Sequence, residues 1–195
     1  MSTTATRPAR GLGWLYAVGG ALGLAAAVAL TLEKIATLTD PDYVPTCSLN
    51  PTISCGSVMD SDQAAAFGFP NPLIGIAAFA VVTTVGVVRL AGFAPPRWFR
   101  VGMQAGATFG VVFVHWLIAA SLYDIHALCP YCMLVWAVTI PIFWYTTLDT
   151  LRAFDATRDI GDLLARAHSA VLAAWYVAIA VLVLVEFWDY WRTLF

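Results

Sequence analysis

Five apolar runs, each about 20 residues long, restrict the possible folds of this chain more than any other feature of its sequence. They lie at about 12–32, 72–93, 101–123, 129–148 and 170–187. A helix of about 20 apolar residues crosses the hydrocarbon core of a bilayer. The chain is 61% hydrophobic and only 11% charged, which is outside the range of soluble domains. The sequence therefore predicts an all-α integral membrane protein with five transmembrane helices.

The first apolar run follows a short basic head that contains Arg7 and Arg10, an order that secretory signal peptides share. Small residues at positions 25–27 strengthen that alternative. The apolar run is nevertheless longer than the hydrophobic region of a typical signal peptide. We therefore expect an uncleaved first transmembrane helix.

The ten basic residues are divided unevenly between the two ends of the apolar runs. Only Lys34 and Arg192 fall on one side of the predicted membrane, and the other eight fall on the opposite side. Because Lys and Arg concentrate in cytoplasmic connections, we expect a cytoplasmic N-terminus and an external C-terminus in the cell inner (plasma) membrane. A net charge of −2 leaves no basic face for nucleic acid.

The long polar segment from Glu33 to Pro70 is predicted to be an outer loop. Within it, Ser57–Phe67 has the pattern of a short helix that ends at Gly68 and covers the bundle.

Small and aromatic residues suggest how the helices pack and where they meet the membrane surface. Gly102, Gly106 and Gly110 are four residues apart and share one helix face, so we expect a neighbouring helix to pack closely there. Aromatic residues near the ends of the runs, such as Tyr190 and Trp191, are predicted to be interfacial anchors.

Four cysteines form two pairs. Cys129 and Cys132 are a C-x-x-C at the start of the fourth run, where the helix N-terminus stabilises a thiolate. Cys47 and Cys55 lie in the outer loop, so the predicted topology places all four thiols on the oxidising face. No Cys and His spacing typical of zinc sites occurs, and we expect no metal.

Three interpretations of these cysteines are open. They can simply pack as small apolar residues, or form two static structural disulfides. They can also form a relay in which a thiolate attacks the next disulfide. Cys132 favours the relay, because it lies one helical turn deeper than Cys129, where a lipid-soluble oxidant reaches it and a soluble protein does not.

Three stretches of the sequence together carry a family resemblance. They are CSLNPTISCGSVM from Cys47, FGFPNPLIG from Phe67 and CPYC from Cys129. The combination resembles the vitamin K epoxide reductase family over roughly residues 12–150. The resemblance implies a four-helix transmembrane bundle around a quinone site, with a half-helix above it, to which this chain adds a fifth transmembrane helix.

The resemblance also implies a role for each cysteine. Cys47 would meet the partner protein, Cys55 would pass electrons to Cys129, and Cys132 would face the quinone. Bacterial relatives reoxidise a periplasmic thioredoxin-fold protein in this way, with menaquinone or ubiquinone as the acceptor.

Four further residues correspond to the quinone site of the family. Asn71 matches its quinone-contacting asparagine, although a cap of the second helix is the structural alternative. Ser61 and Phe67 match positions in the half-helix. Trp136 stands where animal members have a tyrosine, and an indole N–H donates a hydrogen bond but cannot accept one. For His115, within the third run, a quinone or proton role and a neutral, hydrogen-bonded side chain are both open.

Taken together, the sequence predicts a quinone-dependent thiol oxidoreductase that supports disulfide bond formation. Its domains would be a catalytic unit at residues 1–150 and a cytoplasmic loop plus fifth helix at residues 151–195. Since the chain stops at Phe195, we expect its partner to be a separate extracytoplasmic thioredoxin-fold (DsbA-like) protein. Reduction of a quinone (vitamin K) epoxide by the same cysteines is the alternative enzymatic function. A non-catalytic scaffold or transporter is the alternative class, but neither internal symmetry nor a mid-membrane charge supports it.

Overall fold

A computed structural model describes residues 7–40 and 42–193, and this part of the chain is almost entirely helical. The α-helices are α1 (Arg7–Thr39), α2 (Cys55–Met59), α3 (Pro72–Leu90), α4 (Arg97–Ala119), α5 (Pro130–Arg152), α6 (Arg158–Arg166), α7 (His168–Glu186) and α8 (Trp188–Trp191). Most of the basic head before Arg10 and the terminal Phe195 lie outside the described side chains.

Five of the helices are long and apolar enough to cross a membrane, namely α1, α3, α4, α5 and α7. A π-helical turn over Ala120–Ile125 extends α4 at its C-terminal end. The prediction of an all-α, multi-pass membrane protein is confirmed.

The four helices α1, α3, α4 and α5 form the bundle, and α7 lies against its α4–α5 side. The pairs α1–α3, α1–α5 and α4–α5 make the main contacts of the bundle. Val114 of α4 and Trp136 of α5 share an apolar cluster with Val183 near the C-terminal end of α7. Since α3 packs on α1 and α4 packs on α5, a space remains between α3 and α4.

The turn between α3 and α4 is tight and carries basic residues on both sides. Gly92 adopts a positive φ of 101°, and α4 begins directly after Pro96. Arg89 and Arg100 on the two sides of the turn both pair with Asp149 of α5, at 3.3 and 2.8 Å. These ion pairs tie the predicted cytoplasmic ends of three helices together.

The outer loop begins later than the sequence predicts, because α1 continues past Leu32 to Thr39. Glu33 and Lys34, the charged residues in this part of α1, have partners outside the helix. Glu33 accepts hydrogen bonds from the Tyr43 hydroxyl, at 2.9 Å, and from Thr46. The Lys34 ammonium group donates to the carbonyl of Met59 at 2.9 Å. These interactions compensate the charges at the end of the helix.

The predicted helix over Ser57–Phe67 is wrong as a single element. The chain forms the short α2 and then a 3-10 turn over Asp62–Ala65, with extended backbone at Ser61 between them. Ser61 donates its hydroxyl to the carbonyl of Val58 at 2.7 Å, which ends α2. Gly68 terminates the segment with a φ of 81°, as predicted.

The predicted packing role of the glycine stripe on α4 is also wrong. A Cβ atom added at Gly102 or Gly106 would meet no atom within 4 Å, and one at Gly110 would meet only Thr139, at 3.6 Å. The stripe faces the space between α3 and α4 instead of a neighbouring helix. The glycines therefore leave room for a cavity.

Candidate redox site

The outer-loop cysteines, Cys47 and Cys55, form a disulfide with their Cα atoms 5.6 Å apart. Cys55 is the first residue of α2, whose N-cap is Ser54. Cys47 retains 8% of its surface, whereas Cys55 is fully buried. Of the two cysteines, Cys47 is therefore the more accessible to a partner.

The C-x-x-C pair carries two free thiols at the start of α5. Cys129 is fully buried at the N-cap, and its Sγ accepts a hydrogen bond from the backbone N–H of Cys132 at 3.5 Å. The chain reaches this position through the π-helical turn and the left-handed residue His126, with a φ of 53°.

The thiol of Cys129 is polarised by its surroundings. A hydrogen bond from the Cys132 thiol lowers the pKa of Cys129, and backbone N–H groups of the first turn of α5 lower it further. Burial acts in the opposite direction but does not outweigh them. Since the thiolate is the nucleophile in disulfide exchange, this environment favours the reactive form of Cys129.

The two cysteine pairs meet, although they are far apart in the sequence. The Sγ atoms of Cys55 and Cys129 are 3.2 Å apart. A short parallel bridge between Ile53 and Leu128 brings their backbones together, with Ser54 N–H donating to the Leu128 carbonyl at 2.9 Å. An exchange that joins Cys55 to Cys129 can therefore occur with little movement of the backbone.

An apolar cavity of about 380 Å³ lies between α3, α4 and α5, with Cys132 in its wall. The glycine stripe of α4 forms one side of it. Its lining at the N-terminal ends of α3 and α5 includes Cys132, Asn71, Ser61, Gln63 and Trp136. An apolar space with a few polar groups at one end suits an amphipathic molecule such as a quinone.

Asn71 lines this cavity, and its side chain also fastens the outer segment. Its Nδ2 donates to the carbonyl of Gln63 at 2.7 Å, and its Oδ1 accepts the N–H of Ala66 at 3.1 Å. It makes no side-chain hydrogen bond to the first turn of α3, so it does not act as the side-chain cap of that helix. The second N–H of the amide remains for a ligand.

The other predicted quinone contacts are placed differently from one another. Ser61 and Trp136 line the cavity, and the indole of Trp136 is buried. Phe67 is half exposed and packs on Phe109 and Phe113 of α4, with ring centroids 6.4 and 5.7 Å apart. Phe67 therefore lies over the edge of α4 and not among the residues that line the cavity.

His115 has the plainer of its two predicted environments. Its Nδ1 lies 2.7 Å from the Val111 carbonyl, and its Nε2 accepts a hydrogen bond from Trp175 Nε1 at 2.9 Å. A neutral imidazole with the proton on Nδ1 satisfies both contacts. His115 thus connects α4 to the fifth membrane helix, outside the cavity.

The sequence did not indicate two residues at the cysteine loop, namely Asn50 within the loop and Tyr190 against it. Asn50 Nδ2 donates to the Tyr190 hydroxyl at 3.0 Å. Tyr190 and Trp191 are partly buried against the cluster around Leu128, so neither is a simple interfacial anchor. The Asn50-Pro51 dipeptide indicates a turn, but no local pattern indicates its contact with the end of the chain.

Comparison with known proteins agrees with these features. The thiol-disulfide oxidoreductase LTO1 of Arabidopsis thaliana is 29% identical over 106 residues, which are 49% of this chain and 27% of that protein. The chain thus spans about a quarter of the length of this curated relative. Residues 14–147 match the vitamin K epoxide reductase family, a stretch that contains α3, α4 and all four cysteines. The chain therefore belongs to the vitamin K epoxide reductase family and is an oxidoreductase of the membrane.

Proposed function

We propose that this protein reoxidises a separate extracytoplasmic thioredoxin-fold (DsbA-like) protein and passes the electrons to membrane quinone, so that it supports disulfide bond formation. One observation carries the proposal. Cys55 lies 3.2 Å from Cys129, while Cys132 lines an apolar cavity. The four cysteines thus make a continuous path from the outer loop to the membrane interior.

The path begins at the Cys47–Cys55 disulfide. A thiolate of the partner attacks the Sγ of Cys47, the more exposed sulfur, and Cys55 leaves as a thiolate. The second thiol of the partner then attacks its own sulfur in the mixed disulfide and releases Cys47. The partner leaves oxidised, and two electrons remain on Cys47 and Cys55.

The second step transfers these electrons to the C-x-x-C. The Cys55 thiolate attacks Cys129 in an oxidised Cys129–Cys132 pair, and Cys132 leaves as a thiolate. Cys47 then attacks Cys55, which restores the loop disulfide and releases Cys129. The structure has a disulfide between Cys47 and Cys55 and free thiols at Cys129 and Cys132, which is the covalent state expected at the end of this step.

The residues around the cavity fit a quinone, which supplies a two-electron, two-proton acceptor when bound. Cys132 faces the cavity and is the thiol placed to deliver electrons. The free amide N–H of Asn71 and the indole N–H of Trp136 are donors for a carbonyl oxygen that gains negative charge. Ser61 would border the quinone head, and Phe67 would cover the edge of the site. Menaquinone and ubiquinone are the two candidate acceptors.

The orientation and division of the chain are part of the same proposal. The thiols face outside in the inner (plasma) membrane, with the N-terminus in the cytoplasm. Residues 1–150 form the catalytic domain, and residues 151–195 supply the cytoplasmic loop and fifth helix. A reporter that works only in the cytoplasm should be active after Arg97 or Arg158 and inactive after Phe195. The reverse pattern would contradict the proposed function, because the thiols would face a reducing compartment.

The direct test uses the purified protein with a reduced thioredoxin-fold donor and soluble analogues of menaquinone and ubiquinone. Turnover should require one of the quinones, and Cys132→Ala should abolish it. Met133→Ala is the matched control, since Met133 is a partly exposed neighbour in the same helical turn. Turnover that persists in a correctly inserted Cys132→Ala protein would rule out the relay.

A further inference from the structure

The C-terminal segment of the chain lies directly against the cysteine loop. After α7, the short helix α8 brings Tyr190 to the loop between Cys47 and Cys55. The Tyr190 hydroxyl accepts a hydrogen bond from Asn50 Nδ2 at 3.0 Å. The Tyr190 ring packs edge to face on Trp191, with centroids 4.9 Å apart, which holds the hydroxyl in place.

Asn50 is the residue that organises this loop. Its Oδ1 accepts the N–H groups of Thr52 and Ile53, at 3.0 and 2.8 Å. The backbone N–H of Asn50 itself donates to the Ile53 carbonyl at 3.2 Å. Ile53 stands two residues before Cys55, so the position of Asn50 is transmitted to the sulfur that must reach Cys129.

The same C-terminal segment also contacts the other cysteine pair. Val183 and Phe187 pack in one apolar cluster with Leu128, the residue before Cys129. Glu186 Oε1 lies 3.7 Å from His126 Nε2 in the turn that leads to Cys129. The end of α7 and the short helix α8 together therefore touch both segments whose cysteines must meet.

We propose that Tyr190 is a positioning residue for the exchange between Cys55 and Cys129. Its hydroxyl holds Asn50, and through Asn50 the loop, so that the Cys55 sulfur stays beside Cys129. This assigns a function to the fifth membrane helix and α8, and it rests on the relay proposed above. Tyr190 itself does not touch the reacting atoms.

The test measures the exchange alone, without partner or quinone. Full-length Cys47→Ser protein retains Cys55, Cys129 and Cys132. After oxidation and removal of the oxidant, two of these three cysteines form one disulfide and the third stays a free thiol. Cys55 then competes with Cys132 for Cys129, and neither exchange consumes electrons. Acid quenching, alkylation and peptide mass spectrometry give the ratio of the Cys55–Cys129 to the Cys129–Cys132 disulfide. Tyr190→Phe should lower this ratio about fivefold, the factor that one net hydrogen bond is worth.

Two further variants separate positioning from a general loss of structure. Tyr176→Phe is the matched control, because it removes a hydroxyl of α7, the helix before α8, that donates to the Ala137 carbonyl at 2.6 Å, away from the cysteine loop. It should leave the ratio unchanged. Asn50→Asp keeps an oxygen that accepts hydrogen bonds from the N–H groups of Thr52 and Ile53. Its second carboxylate oxygen can accept a hydrogen bond from the Tyr190 hydroxyl. It should keep the ratio near that of the Cys47→Ser parent, and adding Tyr190→Phe to it should lower the ratio again.

The outcomes are distinct. An equal ratio in Tyr190→Phe and Tyr176→Phe overturns the positioning role while leaving the relay intact. If adding Tyr190→Phe to the Asn50→Asp protein leaves the disulfide ratio unchanged, the positioning role is overturned as well. If the Cys47→Ser protein forms no Cys55–Cys129 disulfide even with Tyr190 present, the relay itself is refuted.

Discussion

Substitution of Gly106 tests whether the glycine stripe of α4 exists to leave room for a ligand. A Cβ atom at Gly106 would meet nothing within 4 Å, and the residue lies inside a helix. Gly106→Ala should therefore stabilise the protein by about 0.5–1 kcal/mol through helix propensity alone. Gly106→Leu should also fold, but its side chain would enter the cavity of about 380 Å³.

A glycine at a true helix contact behaves in the opposite way. At Gly86, an added Cβ would lie 2.7 Å from the backbone carbon of Tyr16 and 2.8 Å from the Cα of Ala17. Rigid backbone cannot give way, so Gly86→Ala should destabilise the protein by about 1–3 kcal/mol. The two alanine variants thus differ in the sign of their effect on thermal stability.

The apparent affinity for quinone should also change in the Gly106→Leu protein. The added leucine in Gly106→Leu competes with the ligand for the same space, and overpacking of about 1–3 kcal/mol corresponds to an apparent affinity for quinone that is weaker by about fivefold to 150-fold. Thiol exchange with the partner should be unaffected. The reasoning would be refuted if Gly106→Leu lost thermal stability as Gly86→Ala does, or if its apparent affinity for quinone were unchanged.

Three other predictions concern individual steps. A reduced partner whose second thiol is replaced by Ala cannot release itself after it attacks Cys47 of the loop disulfide, so a Cys47-linked partner adduct should accumulate on non-reducing gels; an adduct through Cys129 would contradict the order. In Cys55→Ala protein, the hydrogen bond from the Cys132 thiol lowers the pKa of Cys129, so the alkylation rate of Cys129 should reach half its maximum at a lower pH than that of an ordinary thiol, and Cys132→Ala should move this midpoint upward. An unmoved midpoint would exclude that cause. Asn71→Ala should slow quinone reduction about a hundredfold while exchange at Cys47 stays near normal; equal loss in both steps would indicate a purely structural role.

Features with a local physical cause could be predicted from the sequence. Apolar length is enough to locate the membrane helices, and Pro95 and Pro96 mark the turn before α4. Gly68 could be recognised as a terminator because a positive φ there favours glycine. The C-x-x-C likewise carries its own chemistry within four residues.

Features that depend on distant partners could not be predicted. The extension of α1 through Glu33 depends on Thr46 and Tyr43, which no periodicity connects to it. The spacing of Gly102, Gly106 and Gly110 shows that they share one face of α4. It does not show whether a helix or a cavity lies opposite that face. Tyr190 is 140 residues from Asn50, so only the folded chain shows their contact.

The bridge between Ile53 and Leu128 has a consequence for the entropy of electron transfer. Its hydrogen bonds join main-chain groups, including Leu128 N–H to the Thr52 carbonyl at 2.7 Å, so they persist whichever sulfurs are bonded. Each exchange between Cys55 and Cys129 is therefore unimolecular, and little further entropy is lost in bringing the two sulfur atoms together. Side-chain changes at these positions leave this advantage in place, whereas a proline at position 54 or 128 would remove a donor and let the two segments separate.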